Sequence, residues 1–324
     1  MSQPSTPFWI KFIVYPLALL GLISLVLVFM LNMPLKDPKV HESVRAGAMA
    51  ISQEGTPKRT SFQARDGTWL ACRIYPAANK NSEQLAILVH GSSGSFRSMN
   101  MIGKRLAEKG ITAVAIDVRG HGESGTRGDI SYLGQLEDDL EDLLEVLQKA
   151  YPKAKRTLIG HSSGGGFALR IAASPCGHKF QRFVLLAPYL GHTAPTNVFP
   201  NEWVEVDLPR LLAINFLSQT GIDWLESMPT IAFATAPNAK RHVTPRYTYR
   251  LMVNFGPPAD WQRAFQSAAA PIEVIAGSSD ELMNSPAYKS ALEPLGVKVT
   301  LLDGVDHMGV LYTPFALNTI CESL

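Results

Sequence analysis

Residues 157–173 of the chain read TLIGHSSGGGFALRIAA, and this stretch carries the strongest structural signal in the sequence. The apolar segment Thr157–Ile159 predicts a β-strand, and Gly164–Ala173 predicts the helix that follows it. Between them, Gly160-His161-Ser162-Ser163-Gly164 fits the pattern G-x-S-x-G, in which a serine lies on a sharp strand-to-helix turn and glycines stand where larger side chains would collide. We therefore predict Ser162 as a nucleophile, against the alternative of a Gly/Ser-rich connecting loop.

Segments of strand length and helix length alternate on both sides of this turn. Such alternation predicts an α/β fold, a mainly parallel sheet covered by helices on both faces. Ligands bind such sheets beyond the carboxyl ends of the strands. An Asp66-Gly67 turn predicts a β-hairpin near the start. The predicted strands are Leu85–Val89, Ile111–Val118, Phe183–Ala187, Ile272–Ala276 and Lys298–Leu302, and the predicted helices are Met99–Lys109, Ser131–Ala150, Pro286–Leu292 and a last one from Thr313.

Further motifs stand directly after predicted strands. They are His90-Gly91, Asp117-Val118-Arg119-Gly120-His121-Gly122-Glu123-Ser124, Gly277-Ser278-Ser279-Asp280 and Asp306-His307. Together with the G-x-S-x-G turn, they resemble the motifs of the α/β-hydrolases, in particular the monoacylglycerol-lipase and serine-aminopeptidase-like branch, over roughly residues 60–322. The resemblance implies an α/β-hydrolase fold with a helical cap insertion, and a serine hydrolase that cleaves a carboxylic ester with an apolar acyl group.

Chain order selects the partners of Ser162. In the fold that the resemblance implies, the nucleophile is followed by Asp or Glu and then by His. Of the eight histidines, only His307 follows the last predicted strand, so it is the predicted base. Asp280 lies just beyond the penultimate predicted strand and is the predicted acid. Asp303 and Asp306 are rivals by their closeness to the histidine in sequence, although neither occupies that loop.

The predicted mechanism is acyl transfer in two halves. His307 takes the proton of Ser162 as the serine oxygen attacks a carbonyl carbon, Asp280 fixes the imidazole tautomer, and water then hydrolyses the acyl-enzyme. The oxyanion hole would use the backbone N–H of Ser163 and, by resemblance, that of Ser92, with Ser93 as the alternative second donor. The remaining histidines in glycine-rich turns are expected to hold loop geometry; they are His90, His121 and His161.

The N-terminal region contains 20 residues without a charge, Phe12–Leu31. A helix of that length spans about 30 Å, the thickness of the hydrocarbon core of a bilayer. A signal peptide would have a shorter apolar region and a small-residue cleavage site, which Met30-Leu31-Asn32-Met33-Pro34 does not offer. We predict a single-pass membrane anchor. Basic residues flank both ends of the run, so that the positive-inside rule supports either orientation: Lys11 precedes it, and Lys36, Lys39 and Arg45 follow it.

The predicted organisation is a tail and anchor over residues 1–31, a linker over 32–58 and a hydrolase domain over 59–324. By resemblance, a cap occupies about residues 191–268. Most aromatic side chains there would form the cap's own core, and some would line an acyl pocket; they are Phe199, Trp203, Phe216, Trp224, Phe233, Tyr247, Tyr249, Phe255 and Trp261. A solvated face is predicted for Lys240, Arg241, Arg246 and Arg250, with binding of an anionic headgroup as the alternative.

Composition and motifs disfavour several other classes of protein. With 30 basic and 28 acidic residues, the charge is too even for a nucleic-acid binder. Three cysteines without C-x-x-C spacing predict neither a zinc site nor a disulfide framework, and no metal or organic cofactor is implied. The same triad would also serve a serine aminopeptidase, a thioesterase or an acyltransferase. A non-catalytic binding protein on this fold is disfavoured because all three triad positions are present together.

Overall fold

The computed structural model describes residues 8–79, 83–236 and 242–324. Its strands are β1 (Thr60–Gln63), β2 (Trp69–Tyr75), β3 (Gln84–Val89), β4 (Thr112–Ile116), β5 (Lys155–His161), β6 (Arg182–Leu186), β7 (Val204–Val206), β8 (Pro229–Phe233), β9 (Arg246–Thr248), β10 (Ile272–Gly277) and β11 (Lys298–Leu302). Its α-helices are α1 (Tyr15–Leu31), α2 (Glu42–Ala50), α3 (Asn100–Glu108), α4 (Gln135–Ala150), α5 (Ser163–Ala172), α6 (Leu208–Gln219), α7 (Tyr249–Asn254), α8 (Trp261–Gln266), α9 (Pro286–Leu292) and α10 (Pro314–Glu322).

An eight-stranded sheet forms the centre, in the order β1-β2-β4-β3-β5-β6-β10-β11. β2 pairs antiparallel with β1 and with β4, whereas the pairs from β4 through β11 are parallel. Leu85–Val89 of β3 and Phe183–Leu186 of β6 are completely buried, so both faces of the sheet are covered there, and this is why these segments are continuous apolar runs rather than alternating ones. The predicted parallel sheet covered by helices is confirmed.

Helix α4 begins four residues later than predicted. The leucine spacing suggests a start at Ser131, but Gly134 has φ +99°, which no residue inside a right-handed helix can adopt. The side chain of Gln135 accepts a hydrogen bond from the Ser131 N–H at 2.6 Å, which closes the turn before the helix. Leu133, which the periodicity assigns to the helix, is accordingly exposed.

The segment between β6 and β10 contains helices, as predicted for the cap, together with a small sheet that the sequence does not predict. Besides α6, α7 and α8 it contains a three-stranded antiparallel sheet in the order β7-β8-β9. β7 and β9 have three residues each, too few for a strand periodicity to be visible in sequence. Pairing with β8, which is buried over four of its five residues, holds them in place.

The N-terminal helix begins with a π-helical turn, Ile10–Val14, and continues as α1. It is long and apolar enough to span a membrane, and no residue of its most apolar window is buried by the rest of the described chain. Its C-terminal end packs against α6 of the cap. There the Arg210 guanidinium donates hydrogen bonds to the backbone carbonyls of Leu31 (3.0 Å) and Met33, so the helix is attached to the cap at one end.

Helix α2 lies within the segment predicted as a linker, and it packs on the domain that contains the central sheet. Val44 and Ile51 belong to the main hydrophobic core. At Gly47 the backbone approaches Met308 so closely that an added Cβ would lie 2.4 Å from the Met308 Cβ. Residues 32–58 therefore contribute a fixed wall of the domain in addition to a connection.

Candidate active site

Ser162 lies at the turn between β5 and α5, where the sequence motif places it. Its backbone has φ +52° and ψ −118°, a conformation that costs energy for any residue with a Cβ. The turn is close-packed: a Cβ at Gly160 would lie 2.1 Å from the Gly164 carbonyl oxygen, and one at Gly164 would lie 2.3 Å from the His90 carbonyl oxygen. The two glycines of the motif are therefore sterically required, and the turn projects Ser162 beyond the carboxyl end of β5.

His307 and Asp280 meet beside this turn. His307 Nδ1 lies 2.8 Å from Asp280 Oδ2, and both side chains are almost completely buried. The other carboxylate oxygen of Asp280 accepts hydrogen bonds from the backbone N–H groups of Leu282 (2.9 Å) and Met283 (2.8 Å), which fix its orientation. The structure thus brings together the histidine and the aspartate that chain order selects.

The rival carboxylates are engaged elsewhere. Asp303 Oδ1 lies 3.3 Å from the Ser278 hydroxyl group. Asp306 Oδ1 accepts a hydrogen bond from the Gly309 N–H at 2.5 Å. Neither carboxylate is hydrogen-bonded to the imidazole ring of His307.

Two opposing influences act on the pKa of His307. Burial disfavours the imidazolium and acts to lower the pKa, while the charge and hydrogen bond of Asp280, followed by the charges of Glu281 and Asp306, act to raise it. The carboxylates prevail, and the pKa of His307 is raised above its ordinary value. A histidine of this kind accepts a proton readily and holds it beside a carboxylate, which suits a general base.

Glu281 is a site residue that sequence reasoning missed. Its Oε2 accepts a hydrogen bond from the His307 backbone N–H (3.1 Å), and its Oε1 accepts one from the Ser43 hydroxyl group of α2 (2.5 Å). Burial acts to raise the pKa of Glu281, but these hydrogen bonds and the nearby histidine leave it below its ordinary value. The only sequence feature that could have pointed to Glu281 is its position directly after Asp280. Its contact with α2 could not be predicted, because the two residues are far apart in the chain.

The loop after β3 offers the second candidate donor for an oxyanion. The Ser93 N–H is engaged, because it donates to the Tyr247 hydroxyl group at 2.5 Å. The Ser92 N–H is therefore the candidate donor from this loop. On the other side, Ser163 opens α5, so its N–H is one of the N-terminal donors that have no partner within the helix.

The three histidines expected to hold loop geometry are hydrogen-bonded to local or neighbouring backbone. His90 Nδ1 bonds the Gly91 carbonyl (2.8 Å), and its Nε2 accepts from the Val118 N–H (3.2 Å). His161 Nε2 lies 3.1 Å from the His307 carbonyl oxygen. Burial lowers the pKa of His90 to about 4 and lowers those of His121 and His161 well below the ordinary value, so all three are neutral near pH 7.

A cavity of about 570 Å³ opens above Ser162 and His307. Its walls come from the loop after β3 (residues 91–95, the oxyanion loop), from the cap and from α2, and most of the lining surface is apolar. Of the cap aromatics, Trp203 lines it, whereas Phe199, Phe216 and Trp224 are largely exposed. The apolar lining residues include Val44, Ala48, Met49, Ile51, Trp203, Ala234, Val243, Leu282 and Met308.

The basic residues predicted to form a solvated face are in part paired. Arg246 forms an ion pair with Asp37 (2.7 Å), and Arg250 forms one with Asp129 (2.7 Å). Lys240 and Arg241 lie outside the described residues. Over the ranges that the structure describes, no group of three or more His, Cys, Asp or Glu side chains is arranged to hold a metal ion.

Comparison with known families identifies one family model that fits this chain. The model is described as serine aminopeptidase, S33, and it matches residues 80–309, more than two thirds of the chain. Monoglyceride lipase from Rattus norvegicus is 28% identical over 148 residues, which cover 44% of this chain and 48% of that lipase. The chain thus spans about half the length of the curated relative that it matches.

Solved structures extend the likeness over most of the chain. A soluble variant of monoglyceride lipase from Saccharomyces cerevisiae, solved with a substrate analogue, superposes with a TM-score of 0.60 at 17% identity, covering 83% of this chain and 94% of that one. A membrane phospholipase A described as a bacterial virulence factor superposes with a TM-score of 0.56 at 17% identity, covering 97% of this chain and 99% of that one. At these identities the superpositions establish the fold.

Proposed function

This chain belongs to the serine aminopeptidase S33 family of the α/β-hydrolases, and we propose that it hydrolyses carboxylic esters through Ser162, His307 and Asp280. The observation that carries the proposal is the 2.8 Å contact between Asp280 and His307, beside a serine on a strained strand-to-helix turn that opens into an apolar cavity. Position, chain order and chemistry of these side chains agree with a nucleophile, a base and an acid.

In the first half of the proposed reaction, Ser162 Oγ attacks the ester carbonyl carbon and His307 Nε2 takes its proton. Asp280 stays ionised and stabilises the imidazolium through the hydrogen bond to Nδ1. The oxyanion is bound by the N–H groups of Ser92 and Ser163, each of which contributes about 3 kcal/mol to lowering the barrier. His307 then protonates the leaving alkoxide, and an acyl-enzyme remains.

In the second half, a water molecule takes the place of the alcohol. His307 removes a proton from this water as it attacks the acyl carbon, and the same two backbone N–H groups bind the second oxyanion. Collapse of this intermediate returns the proton to Ser162 and releases the carboxylic acid. Ser162 and His307 are the only protein groups that have to transfer a proton in this scheme.

The cavity favours an ester substrate over an N-terminal aminoacyl group. An aminopeptidase has to bind an α-ammonium group, which calls for a carboxylate near the scissile bond. Among the described residues that line the cavity, none is Asp or Glu, whereas Arg45 and Arg97 are present. A neutral or anionic ester with an apolar acyl chain fits this lining. The name of the rat relative, monoglyceride lipase, supports a lipid ester.

We also propose that the chain is anchored in a membrane through its N-terminal helix, with residues 1–31 as tail and anchor and 59–324 as the hydrolase domain. The uncovered apolar surface of α1 supports this. The surface continues onto the cap, because the α6 residues Leu208, Leu212 and Phe216 repeat at intervals of four and are about half exposed. An apolar surface of this extent next to a spanning helix favours contact with lipid.

The test is labelling of the full-length protein with a fluorophosphonate probe, with the modified peptide mapped. We expect labelling at Ser162 that disappears in Ser162→Ala and His307→Ala and persists in Ser290→Ala, a matched change on α9. A panel of monoacylglycerols, p-nitrophenyl esters, acyl thioesters and aminoacyl anilides then ranks the substrate classes. Labelling at another serine, or cleavage of the anilides in preference to the esters, would contradict the proposal.

A further inference from the structure

The hydroxyl group of Tyr247, in cap strand β9, lies in a buried hydrogen-bond chain outside the proposed triad. The Ser93 N–H donates to Tyr247 Oη, which is also 2.5 Å from His121 Nε2. His121 Nδ1 lies 3.2 Å from the Arg119 carbonyl oxygen and 3.3 Å from that of Val118. A neutral imidazole has one N–H, so Nδ1 donates to these carbonyls and Nε2 accepts the proton of Tyr247. Each donor in this hydrogen-bond chain then has an acceptor.

The cap holds both polar groups of the Ser93 backbone. The Ser93 N–H donates to Tyr247 Oη, and the Ser93 carbonyl accepts a hydrogen bond from the Thr244 N–H at 2.9 Å. Ser93 has φ +62°, a left-handed conformation that residues with a Cβ rarely adopt. Such a conformation persists where the surrounding structure enforces it. Here the enforcing contacts come from the cap, more than 150 residues away in sequence.

The candidate oxyanion donor lies between two fixed peptide groups. On one side, the Gly91 carbonyl accepts from His90 Nδ1 (2.8 Å) and from the Gly94 N–H (3.1 Å). In a trans peptide the C=O and N–H point in opposite directions, so anchoring this carbonyl sets the direction of the Ser92 N–H. On the other side, the Ser92–Ser93 peptide is fixed by the bond to Tyr247. The cap also donates from Trp203 Nε1 to the Ser92 hydroxyl group at 3.0 Å.

We propose that Tyr247 is a positioning residue for the oxyanion hole. Its hydroxyl group holds the Ser92–Ser93 peptide in the orientation that directs the Ser92 N–H toward the reacting carbonyl, so that core and cap together form the hole. The inference rests on the proposed function and goes beyond it, because it gives the cap a part in stabilising the oxyanion in addition to lining the acyl pocket. A displacement of β9 would then weaken catalysis without altering the triad.

Tyr247→Phe tests this, since it removes one hydroxyl group and retains the ring. Removing an oxyanion donor outright lowers kcat by about 100- to 1,000-fold; a donor that is misdirected rather than lost should lower kcat for p-nitrophenyl butyrate by about 10- to 100-fold. KM should stay within about threefold, because the ground-state ester does not carry the negative charge. The inhibition constant of an alkyl trifluoromethyl ketone, which forms an oxyanion adduct with an activated serine, should rise by a factor similar to the fall in kcat.

Tyr249→Phe is the matched control. Tyr249 is a buried cap tyrosine two positions further along the chain. Its hydroxyl group donates to Oδ1 of Asn215 at 2.9 Å, and Asn215 belongs to cap helix α6 and not to the loop after β3. We expect wild-type kcat and inhibition by the ketone in this variant. Wild-type turnover in the same assay reports on the proposed function by itself, so an active wild type beside an equally active Tyr247→Phe overturns the positioning role alone. An increase in KM at unchanged kcat, or an equal fall in kcat in both variants, also overturns it.

Two substitutions at His121 test the same hydrogen-bond chain without changing Tyr247. They provide an independent test if the Tyr247→Phe variant does not fold. The amide oxygen of Gln accepts a hydrogen bond from the Tyr247 hydroxyl group, whereas a Leu side chain of similar size accepts none. We expect a higher kcat in His121→Gln than in His121→Leu, at equal KM, measured at a temperature at which both variants are folded. Equal kcat values in the two variants would contradict the inference.

Discussion

His307 is the residue at which the electrostatics of the site can be measured directly. Its pKa is raised by Asp280, Glu281 and Asp306 against the effect of burial, and the proposed base acts only when it is neutral. As the pH falls through this pKa, the imidazole becomes protonated and kcat/KM falls. We therefore expect the acid limb of the kcat/KM profile to have an apparent pKa above about 6.5, the ordinary value for histidine.

Glu281→Gln tests which charges set that pKa. Because a negative charge stabilises the imidazolium, its removal should lower the apparent pKa of the acid limb and leave kcat at pH 8.5 within a few-fold of wild type. Glu293→Gln, at an exposed position after α9, is the control and should leave the profile in place. An unmoved acid limb in Glu281→Gln would show that the charge of Glu281 does not contribute to the pKa of His307.

The backbone of Ser162 predicts a conflict between stability and activity. Its φ of +52° costs about 1–3 kcal/mol for a residue with a Cβ, and glycine adopts it freely, although glycine loses about 0.5–1 kcal/mol more in chain entropy. We expect Ser162→Gly to be inactive and yet to unfold at a melting temperature about 2 °C higher than wild type. Ser162→Ala keeps the Cβ and should be inactive without this gain, so equal melting temperatures in the two variants would argue against strain.

At the scale of elements, α2 joins the N-terminal segment to the acid and base loops. Gly47→Ala places a Cβ 2.4 Å from the Met308 Cβ, next to His307, so the helix has to move outward. Overpacking of this kind costs about 1–3 kcal/mol, against a gain of about 1 kcal/mol in helix propensity. We expect a small loss of stability, about 1 kcal/mol, with a fall in kcat/KM of about tenfold measured on a soluble ester. Ala46→Ser, on the exposed face of α2, is the control.

The elements that the sequence predicts well are those whose local pattern agrees with their burial. Leu85–Val89 of β3 and Phe183–Leu186 of β6 are uninterrupted apolar runs because both faces are covered, and the Ser162 turn has a motif that steric contacts require. By contrast, β7 and β9 are formed by pairing with β8 and have no periodicity of their own. Contacts between distant residues, such as those of Glu281 with α2 and of Tyr247 with the oxyanion loop, leave no local trace in the sequence.

At the scale of the whole molecule, the contacts between the N-terminal helix and the cap predict that each stabilises the other. Arg210 is 8% exposed and donates to the carbonyls of Leu31 and Met33, while Leu31 packs against the cap cluster around Ile214. A chain that begins at residue 34 leaves these guanidinium donors without their acceptors, at a cost of about 1–3 kcal/mol. We expect this truncated protein to retain the proposed esterase activity at 20 °C and to lose cap structure at a lower temperature than the full-length chain.

Tryptophan fluorescence monitors this change, because three of the four tryptophans that remain in the truncated chain lie in the cap: Trp203, Trp224 and Trp261. Arg210→Met is the matched change. Arg210→Met should destabilise the full-length protein more than the truncated one, because the hydrogen bonds from Arg210 to Leu31 and Met33 are already absent in the truncated chain. Equal effects in both chains would mean that the helix and the cap are energetically independent.

The short connection between α1 and α2 has a kinetic consequence. Ten residues separate Leu31 from Glu42, and an extended chain of that length reaches about 35 Å, so the proposed anchor would keep the catalytic domain within that distance of the bilayer surface. Two contacts shorten the reach of this segment further. The His41 N–H donates to the Ala234 carbonyl, and Asp37 forms an ion pair with Arg246. If the substrate is a lipid ester, enzyme and substrate then meet by diffusion within the plane of the membrane. The rate of turnover in vesicles should therefore depend on the mole fraction of substrate in the membrane. Dilution with inert phospholipid slows such an enzyme, whereas dilution with buffer does not.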